Sequence, residues 1–555
     1  MDYLEHQNRR GTRGNPAYTH GTGFSQFIMK KGIEFETKLV EHINKNRVEV
    51  ANGPTTLTEA NCRRVKDLMM EGAAIIHSAP LMHSDNTGGI ADLLVRSDYL
   101  AELVDEPPLT ENEVNIPAPL LGTPYHYVVV DIKFTTLPLR ADGKLLLNSG
   151  HFPAYKAQCW IYNKAIGEIQ GYTPKRAFVM GRRWKYASKD IAYHNFTCLD
   201  KLGVIDYAGV DKEYISRTRD AVQWVRRLQE HGHKWSADPP SIPELYPNMC
   251  VDAGKWNPEK ERLALKNKEI TSVWYCGVKH RETAVSQDIK SWADKKCTST
   301  ALGIRGVRAP VIDAIMDINR QNKDKLRPAT IESNMFDWKI PGNDVYVDFE
   351  TLPDVCSDFS DLPNQKTTSM IFMIGVGRVD EGVWTYKRFL AQSPTVAEEF
   401  RIMDEFVTHL ARLQHPRVFF WHAEDRFWRT SEDRQFNNAH NEMNTERKDR
   451  ISDDWQVRQW CDLSKLFREE PIVIKGCFKF GLKEVSAAMR SHGMIDTVIE
   501  SDCDSGMTAC IRAWECYAGS TDPENSPVMT DIGRYNEFDV KVLMDIRTYL
   551  QHSHA

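Results

Sequence analysis

The stretch that most constrains this chain is Tyr127-Val128-Val129-Val130-Asp131-Ile132-Lys133-Phe134. A run of apolar, β-branched residues reads as a buried strand, and this one ends in an acid and a lysine two residues apart. Residues i and i+2 of a strand point to the same face, so Asp131 and Lys133 present a carboxylate and an ammonium side by side. The carboxylate can hold a hard divalent cation, and the ammonium can orient a water or steady the charge of a phosphate. A lone Asp-x-Lys also suits a strand end closed by a surface ion pair, so the neighbouring motifs must decide.

At 555 residues the chain is too long for one core, and about two to four domains are expected. A hydrophobic share of 41% with 27% charged residues fits a soluble globular protein. No run approaches the roughly 20 apolar residues of a membrane span, so no membrane partner is expected. Met1 to Arg13 lacks the apolar core of a secretory leader. The 12 cysteines include no Cys-x-x-Cys pair, which argues against a zinc ribbon, an iron–sulfur site or a secreted disulfide framework. An intracellular, reducing compartment (cytoplasmic, nuclear or a site of viral replication) is the expectation. With a net charge of −6, any nucleic-acid site has to be a local basic groove.

In chain order, residues 1–30 are rich in Gly, Asn and Arg and are expected to be poorly ordered. Gly32 to Asn44 reads as an amphipathic helix with Phe35, Leu39 and Ile43 on one stripe and Glu36 beside it. Gly88-Gly89-Ile90-Ala91-Asp92 reads as a tight turn feeding a strand, with Asp92 at its start. His151 to Ala165 has helical periodicity and carries Tyr155, Lys156, Gln158 and Tyr162, of which Tyr155, Gln158 and Tyr162 share a face.

The order of these pieces resembles the RecB-like branch of the PD-(D/E)xK nucleases over roughly residues 31–190. The resemblance rests on Glu36 on an early helix, Gly-Ile-Ala-Asp92 before a strand, Asp131-Ile-Lys133 ending the next, and Gln158-Cys-Trp-Ile-Tyr162 on a helix. It implies a mixed sheet flanked by helices, with Asp92 and Asp131 ligating Mg²⁺ or Mn²⁺ and Glu36 assisting. Lys133 would position the water or stabilise the phosphate, and Gln158 and Tyr162 would brace the site and the nucleic-acid backbone. The second acid is Asp131 where many relatives carry Glu, and either coordinates metal.

Arg182, Arg183 and Lys185 then form a short basic cluster suited to a phosphate groove or a solvated loop. Lys156, Arg182 and Arg183 are the expected nucleic-acid contacts of this region. Arg219 to His231 reads as a helix with Val222, Val225 and Leu228 inward, and Pro239, Pro240, Pro243 and Pro247 mark a connection between domains. Residues 255–325 read as helical, with Ile270–Trp274, Ile289–Trp292 and Leu302–Gly306 as short helices and Gly turns. The block resembles a helical connector between nuclease domains, or serves as a packing spacer.

Val345-Tyr346-Val347-Asp348-Phe349-Glu350-Thr351 opens a second sheet, again with two carboxylates at i and i+2. Met370 to Gly377, Trp384 to Leu390 and Val418 to Trp421 read as further strands, with a helix over Glu398 to Leu413. Tyr535-Asn536-Glu537-Phe538-Asp539 lies on the last helix, where Tyr535 and Asp539 share a face. Asp348-x-Glu350 with Tyr535-x-x-x-Asp539 resembles the DEDD exonucleases, and more closely the ribonuclease-H-like domain fused behind RecB-like nucleases. The resemblance spans about residues 343–550. It implies that Asp348, Glu350 and Asp539 bind two metal ions and that Tyr535 orients the water. The middle motif departs: Trp421-His422-Ala423-Glu424-Asp425 stands where relatives carry Asn-x-x-Phe-Asp, and Glu424, with Asp425 second, is chosen as the missing acid. Thr430 to Asp454 and Asp502 to Asp531 read as insertions, the first of them mobile. Lys475, Lys479 and Lys483 line a turn and a helix start, suited to a substrate strand or to a solvated loop, and Lys479 and Lys483 are the expected nucleic-acid contacts.

Other chemistries lack their motifs. There is no His-x-x-x-His pair, no phosphate loop, and Gly375-Val376-Gly377 lacks the third glycine of a dinucleotide fingerprint. The expectation is therefore a multi-domain α/β protein: a flexible segment at 1–30, a restriction-endonuclease-like mixed sheet at 31–240, a helical connector at 241–335 and a ribonuclease-H-like sheet at 336–555. Its expected function is metal-dependent hydrolysis of DNA, exonucleolytic rather than endonucleolytic, on single strands or free ends, in repair, recombination or replication. RNA as substrate, or a C-terminal domain that only clamps nucleic acid, are the alternatives.

Overall fold

Strand alternation shapes the first sheet. In β4 (Tyr127–Pro138), Tyr127 and Val129 pack on one face against Cys159 and Tyr162 of the Phe152–Gln170 helix. Val128, Val130 and Ile132 pack on the other against Phe35, Leu39 and Ile43 of the Gly23–Asn46 helix. The sheet is thus buried on both sides, which is why its strands are apolar runs rather than alternating ones. A computed structural model describes residues 1–10, 23–365, 367–520 and 522–555.

The first sheet has seven strands: β1 (Val50–Asn52), β2 (Ile75–Met82), β3 (Gly88–Arg96), β4, β5 (Arg176–Ser188), β6 (Ile191–Asn195) and β7 (Gly203–Asp206). They run in the order β1-β2-β3-β4-β5-β6, with β7 also on β5. β2, β3 and β4 are antiparallel, and β4 and β5 are parallel, joined by the Phe152–Gln170 crossover helix. Within the connector, β8 (Leu326–Arg327) follows a small core of Ile270, Val273, Trp292, Leu302, Ile312 and Ile315.

The second sheet has β9 (Asp344–Leu352), β10 (Met370–Asp380), β11 (Val383–Leu390), β12 (Arg417–Phe420) and β13 (Trp460–Asp462), in the order β11-β10-β9-β12-β13. β9, β10 and β11 form an antiparallel meander, while β12 and β13 run parallel to β9. β14 (Val473–Ile474) pairs back with β8 and ties the connector to this domain. The protein is multi-domain mixed α/β, as expected. No helix of the described residues is long and apolar enough to cross a membrane, and all 12 cysteines are free thiols.

Several local expectations fail, mostly where distant packing overrides composition. Of residues 1–30, Asp2–Arg9 is a helix with Tyr3 and Leu4 buried; residues 11–22 lie outside the described set. The next helix begins at Gly23, not Gly32, because Phe27 is buried in the core of the second sheet. Gly88 and Gly89 lie within β3 rather than in a turn, and Asp92 stands mid-strand. Likewise β4 runs on past Lys133 to Pro138. Val225 is exposed, leaving Leu228 as the buried residue of that face. Ile289–Trp292 and Leu302–Arg305 form turns and irregular backbone, and only Gly306 enters a short 3₁₀ helix, Gly306–Arg308. Thr430 to Asp454 is packed rather than mobile: Glu424–Asn441 and Thr445–Asp454 bury Trp428, Gln435, Ala439 and Ile451, as Gly506–Gly519 buries Ala509, Cys510 and Ala513.

Candidate active sites

The β3–β4 ladder stops at Leu93 and Val130, which leaves Asp92 and Asp131 facing each other at its open end. Asp92 Oδ2 accepts the Ile132 N–H at 2.7 Å. Asp131 has no exposed side-chain surface, and the Lys133 ammonium lies 2.7 Å from its Oδ2 and 3.7 Å from Asp92 Oδ2. That contact is ionic: neither Asp131 oxygen has a hydrogen bond of acceptable geometry. Just past Lys133 the β4–β5 register slips, a bulge of the kind that re-aims side chains beside functional sites.

Burial, and then the Asp131 charge, push Asp92 up to about 8, and burial raises Asp131 as well. Burial works against the Lys133 ammonium, but Asp131 and Asp92 outweigh it and hold its pKa above the ordinary lysine value. Lys133 therefore stays charged and partly neutralises the pair. Its ammonium also sits 5.2 Å from the Tyr155 ring centroid. Glu36 adds repulsion to both acids, yet it is held aside by His77, 3.0 Å away. Gln158 donates to the Tyr162 hydroxyl at 2.8 Å. The Tyr162 ring covers Gly89 so closely that a Cβ there would sit 2.7 Å from it, which explains a glycine inside β3.

In the second sheet, Asp348 and Glu350 share one face of β9 and meet Asp539 and Tyr535 from the Pro527–His554 helix. Glu350, Glu424, Asp539 and Tyr535 are buried, while Asp348 keeps some solvent access. The β9–β10 register slips beside Glu350, as it does beside Lys133. Burial, followed by Glu350, Asp539 and Glu424, holds Asp348 well above the carboxylate range. Burial, then Asp539, takes Glu350 up to about 7, and burial takes Glu424 up to about 8. Asp539 rises to about 6 through burial, with Lys483 pulling it back. The Tyr535 phenol is held protonated by burial and by Asp539. Asp425 turns away, 3.5 Å from Arg429, so Glu424 is the inward acid of the middle motif.

Asn536 is the residue that sequence reasoning missed. It is fully buried, and its amide donates to Asp348 Oδ2 at 2.8 Å, to the Asp348 carbonyl at 3.2 Å and to Glu350 Oε1 at 3.3 Å. Its own oxygen accepts from the Tyr386 hydroxyl at 2.8 Å. A Cβ on Gly375 would lie 1.6 Å from that oxygen, so Gly375 is glycine to admit Asn536. The only sequence signal was its place between Tyr535 and Asp539.

The expected nucleic-acid contacts divide. Lys156 is fully buried and pairs with Asp211 at 2.6 Å, so it is structural. Arg182 and Arg183 are buried as well, paired with Asp354 of the second domain at 2.7 and 3.1 Å; they bind the domains together and line no groove. Lys479 is exposed. Lys483 belongs to the second cluster, 4.6 Å from the Tyr535 ring centroid, where its charge acts on Asp539 and Glu350.

Among the described residues, no three His, Cys, Asp or Glu side chains are gathered tightly enough to hold a metal ion as they stand. The donor chemistry nonetheless fits Mg²⁺ or Mn²⁺: both clusters offer only hard carboxylate oxygens. Oδ1 of Asp131 and Oδ1 of Asp539 are buried without a hydrogen-bond donor, a costly state that a cation relieves. Compared with protein-family models, curated proteins and solved structures, the chain matches none.

Proposed function

We propose that this protein is a metal-dependent nuclease that hydrolyses phosphodiester bonds, with DNA as the favoured substrate and two active sites. The observation that carries the reading is the gathering of four acids, Asp348, Glu350, Glu424 and Asp539, the last three buried and all three raising the pKa of Asp348, from three separate segments of one domain. Such crowding is unfavourable unless the site exists to hold positive charge. The meander of three strands followed by two parallel to the first supports a ribonuclease-H-like second domain. The mixed sheet with Asp92, Asp131 and Lys133 beside a crossover helix supports a RecB-like first domain.

Asp92 and Asp131, with Glu36 nearby, would hold Mg²⁺ or Mn²⁺ in the first site, and Asp348, Glu350, Glu424 and Asp539 in the second. A divalent ion there supplies charge stabilisation to the phosphate and a more acidic water. In the first site Lys133, kept charged by its two acids, steadies the phosphate's developing charge. In the second, the protonated Tyr535 phenol can donate a hydrogen bond to a water, and Lys483 brings positive charge to the rim. Asn536 occupies the space between Asp348 and Glu350 and favours one competing reading, in which the second domain clamps nucleic acid without cutting it.

Digestion of end-labelled single- and double-stranded DNA and RNA with Mg²⁺, Mn²⁺ or EDTA tests the proposal. Metal-dependent cleavage of DNA is expected; binding without cleavage under every metal condition would retire the enzyme reading.

A further inference from the structure

With Lys156, Arg182 and Arg183 committed to buried ion pairs, the grip on a nucleic-acid strand has to come from elsewhere. The connector carries the charge for it. Residues 255–325 hold 15 Lys or Arg against 9 Asp or Glu, within a chain whose net charge is −6. Between residues 274 and 308 the balance is 7 to 3. Two of those seven are spent, Arg281 on the buried Glu269 and Lys290 on Asp288. Lys279, Lys295, Lys296, Arg305 and Arg308 are exposed and pair with no carboxylate among the described residues.

An aromatic platform stands among these cations. Tyr275 adopts a φ of +65°, a left-handed conformation that bulky side chains rarely take, and keeps 48% of its surface exposed. Backbone strain of this kind clusters at ligand-binding sites. The Arg308 guanidinium stacks 4.0 Å from its ring centroid, and the His280 ring lies 5.8 Å away. Behind it, Trp274 packs edge-on against Phe480 at 5.4 Å, and its backbone N–H donates to the Phe478 carbonyl at 2.9 Å. The Phe480 carbonyl in turn accepts the Trp421 indole N–H at 3.0 Å. Trp421 immediately precedes the segment bearing Glu424, and Lys483 lies three residues beyond Phe480. The platform is thus tied to the two segments that carry Glu424 and Lys483.

We propose that Tyr275 and Arg308, flanked by Lys279, Lys295, Lys296 and Arg305, form a binding platform for single-stranded nucleic acid that presents the strand to the second cluster. The inference rests on the nucleic-acid reading above. Flat rings and guanidinium groups stack on bases of any sequence, while the surrounding cations track the phosphates, so the platform is sequence-tolerant.

The test is fluorescence anisotropy of labelled oligothymidylate with the full-length protein in EDTA, which separates binding from cleavage. Tyr275→Ala and Arg308→Ala should each weaken binding about ten-fold, while Tyr275→Phe keeps the stack and the affinity. Arg308→Ala should also flatten the slope of log affinity against log salt by roughly 0.7. Should Tyr275→Ala melt well below the parent protein, Arg308→Ala and the paired change Lys295→Glu with Lys296→Glu decide, since these side chains are exposed. Wild-type affinity in those variants, or no binding by the parent protein, overturns the proposal. A failure to cleave overturns the nuclease reading and leaves this result standing.

Discussion

The two carboxylate clusters solve the same electrostatic problem differently. In the first, two facing acids on neighbouring strands have a lysine of β4 set against them, 2.7 Å from Asp131 and 3.7 Å from Asp92, and the third acid is occupied by His77. In the second, a neutral amide, Asn536, bridges Asp348 and Glu350, and a cation, Lys483, sits over the Tyr535 ring. Asn536 can donate hydrogen bonds to Asp348 and Glu350 but cannot cancel their charge. The first cluster is therefore largely self-balanced, and the second must take up either protons or a cation.

The largest effect is expected where the internal cation also does chemistry. With the second site silenced by Asp348→Asn, Lys133→Ala should lower the remaining cleavage about 10²–10³-fold; residual activity near the parent level would remove Lys133 from the mechanism. The reciprocal change sharpens the contrast. Asp348→Asn or Asp539→Asn in a Lys133→Ala background should abolish degradation from strand ends. Both should also remove a rise in melting temperature on adding Mn²⁺, and Glu424→Gln should do more damage than Asp425→Asn.

Proton uptake gives a third, smaller effect. Asp92, Glu350, Glu424 and Asp539 all bind their protons more tightly folded than unfolded. As pH rises from the unfolded carboxylate value near about 4, the unfolded chain gives up those protons first. Stability should then fall until pH passes the highest folded values, about 8. Thermal melts in EDTA should show that decline, and Mn²⁺ should flatten it, more through the second cluster than the first. A metal-free protein equally stable from pH 5 to 8 would contradict the crowding. The smallest effect on binding belongs to Arg182→Ala with Arg183→Ala. It should lower the melting temperature through the lost Asp354 pairs but leave the salt dependence of oligonucleotide affinity unchanged.

Short-range pattern made the strands and their acids legible. β4, β9, β10 and β12 announce themselves as apolar runs, and i, i+2 spacing placed Asp131 with Lys133 and Asp348 with Glu350. What the pattern lacked was any record of distant partners. Arg182 and Arg183 look like a basic surface until Asp354, in a loop of the other domain, is laid against them. Lys156 looks solvated until Asp211 closes on it. Asn536 gains its role only because Gly375, on another strand, leaves room for it. The Glu424–Asn441 helix reads as polar because it buries few side chains, among them Trp428, Gln435 and Ala439, too sparse a stripe to stand out.

The loop that follows Glu350 decides how this molecule can be taken apart. Only a few residues past that acid, Asp354 meets Arg182 and Arg183, and the Ser357 carbonyl takes the Lys31 ammonium at 2.7 Å. Phe359 then packs 5.7 Å from Phe35 and 5.3 Å from Phe134, the neighbours of Glu36 and Lys133. From the other side, the Gly23–Asn46 helix plants Phe27 in the second domain's core, roughly 14 Å along its axis from Glu36. Cutting the chain near residue 335 would bare both faces at once, so isolated halves would report on their own exposed seams. Point substitutions in the whole chain are the cleaner scalpel, and inheritance faces the same constraint: neither half can be traded away without its partner's loop or helix.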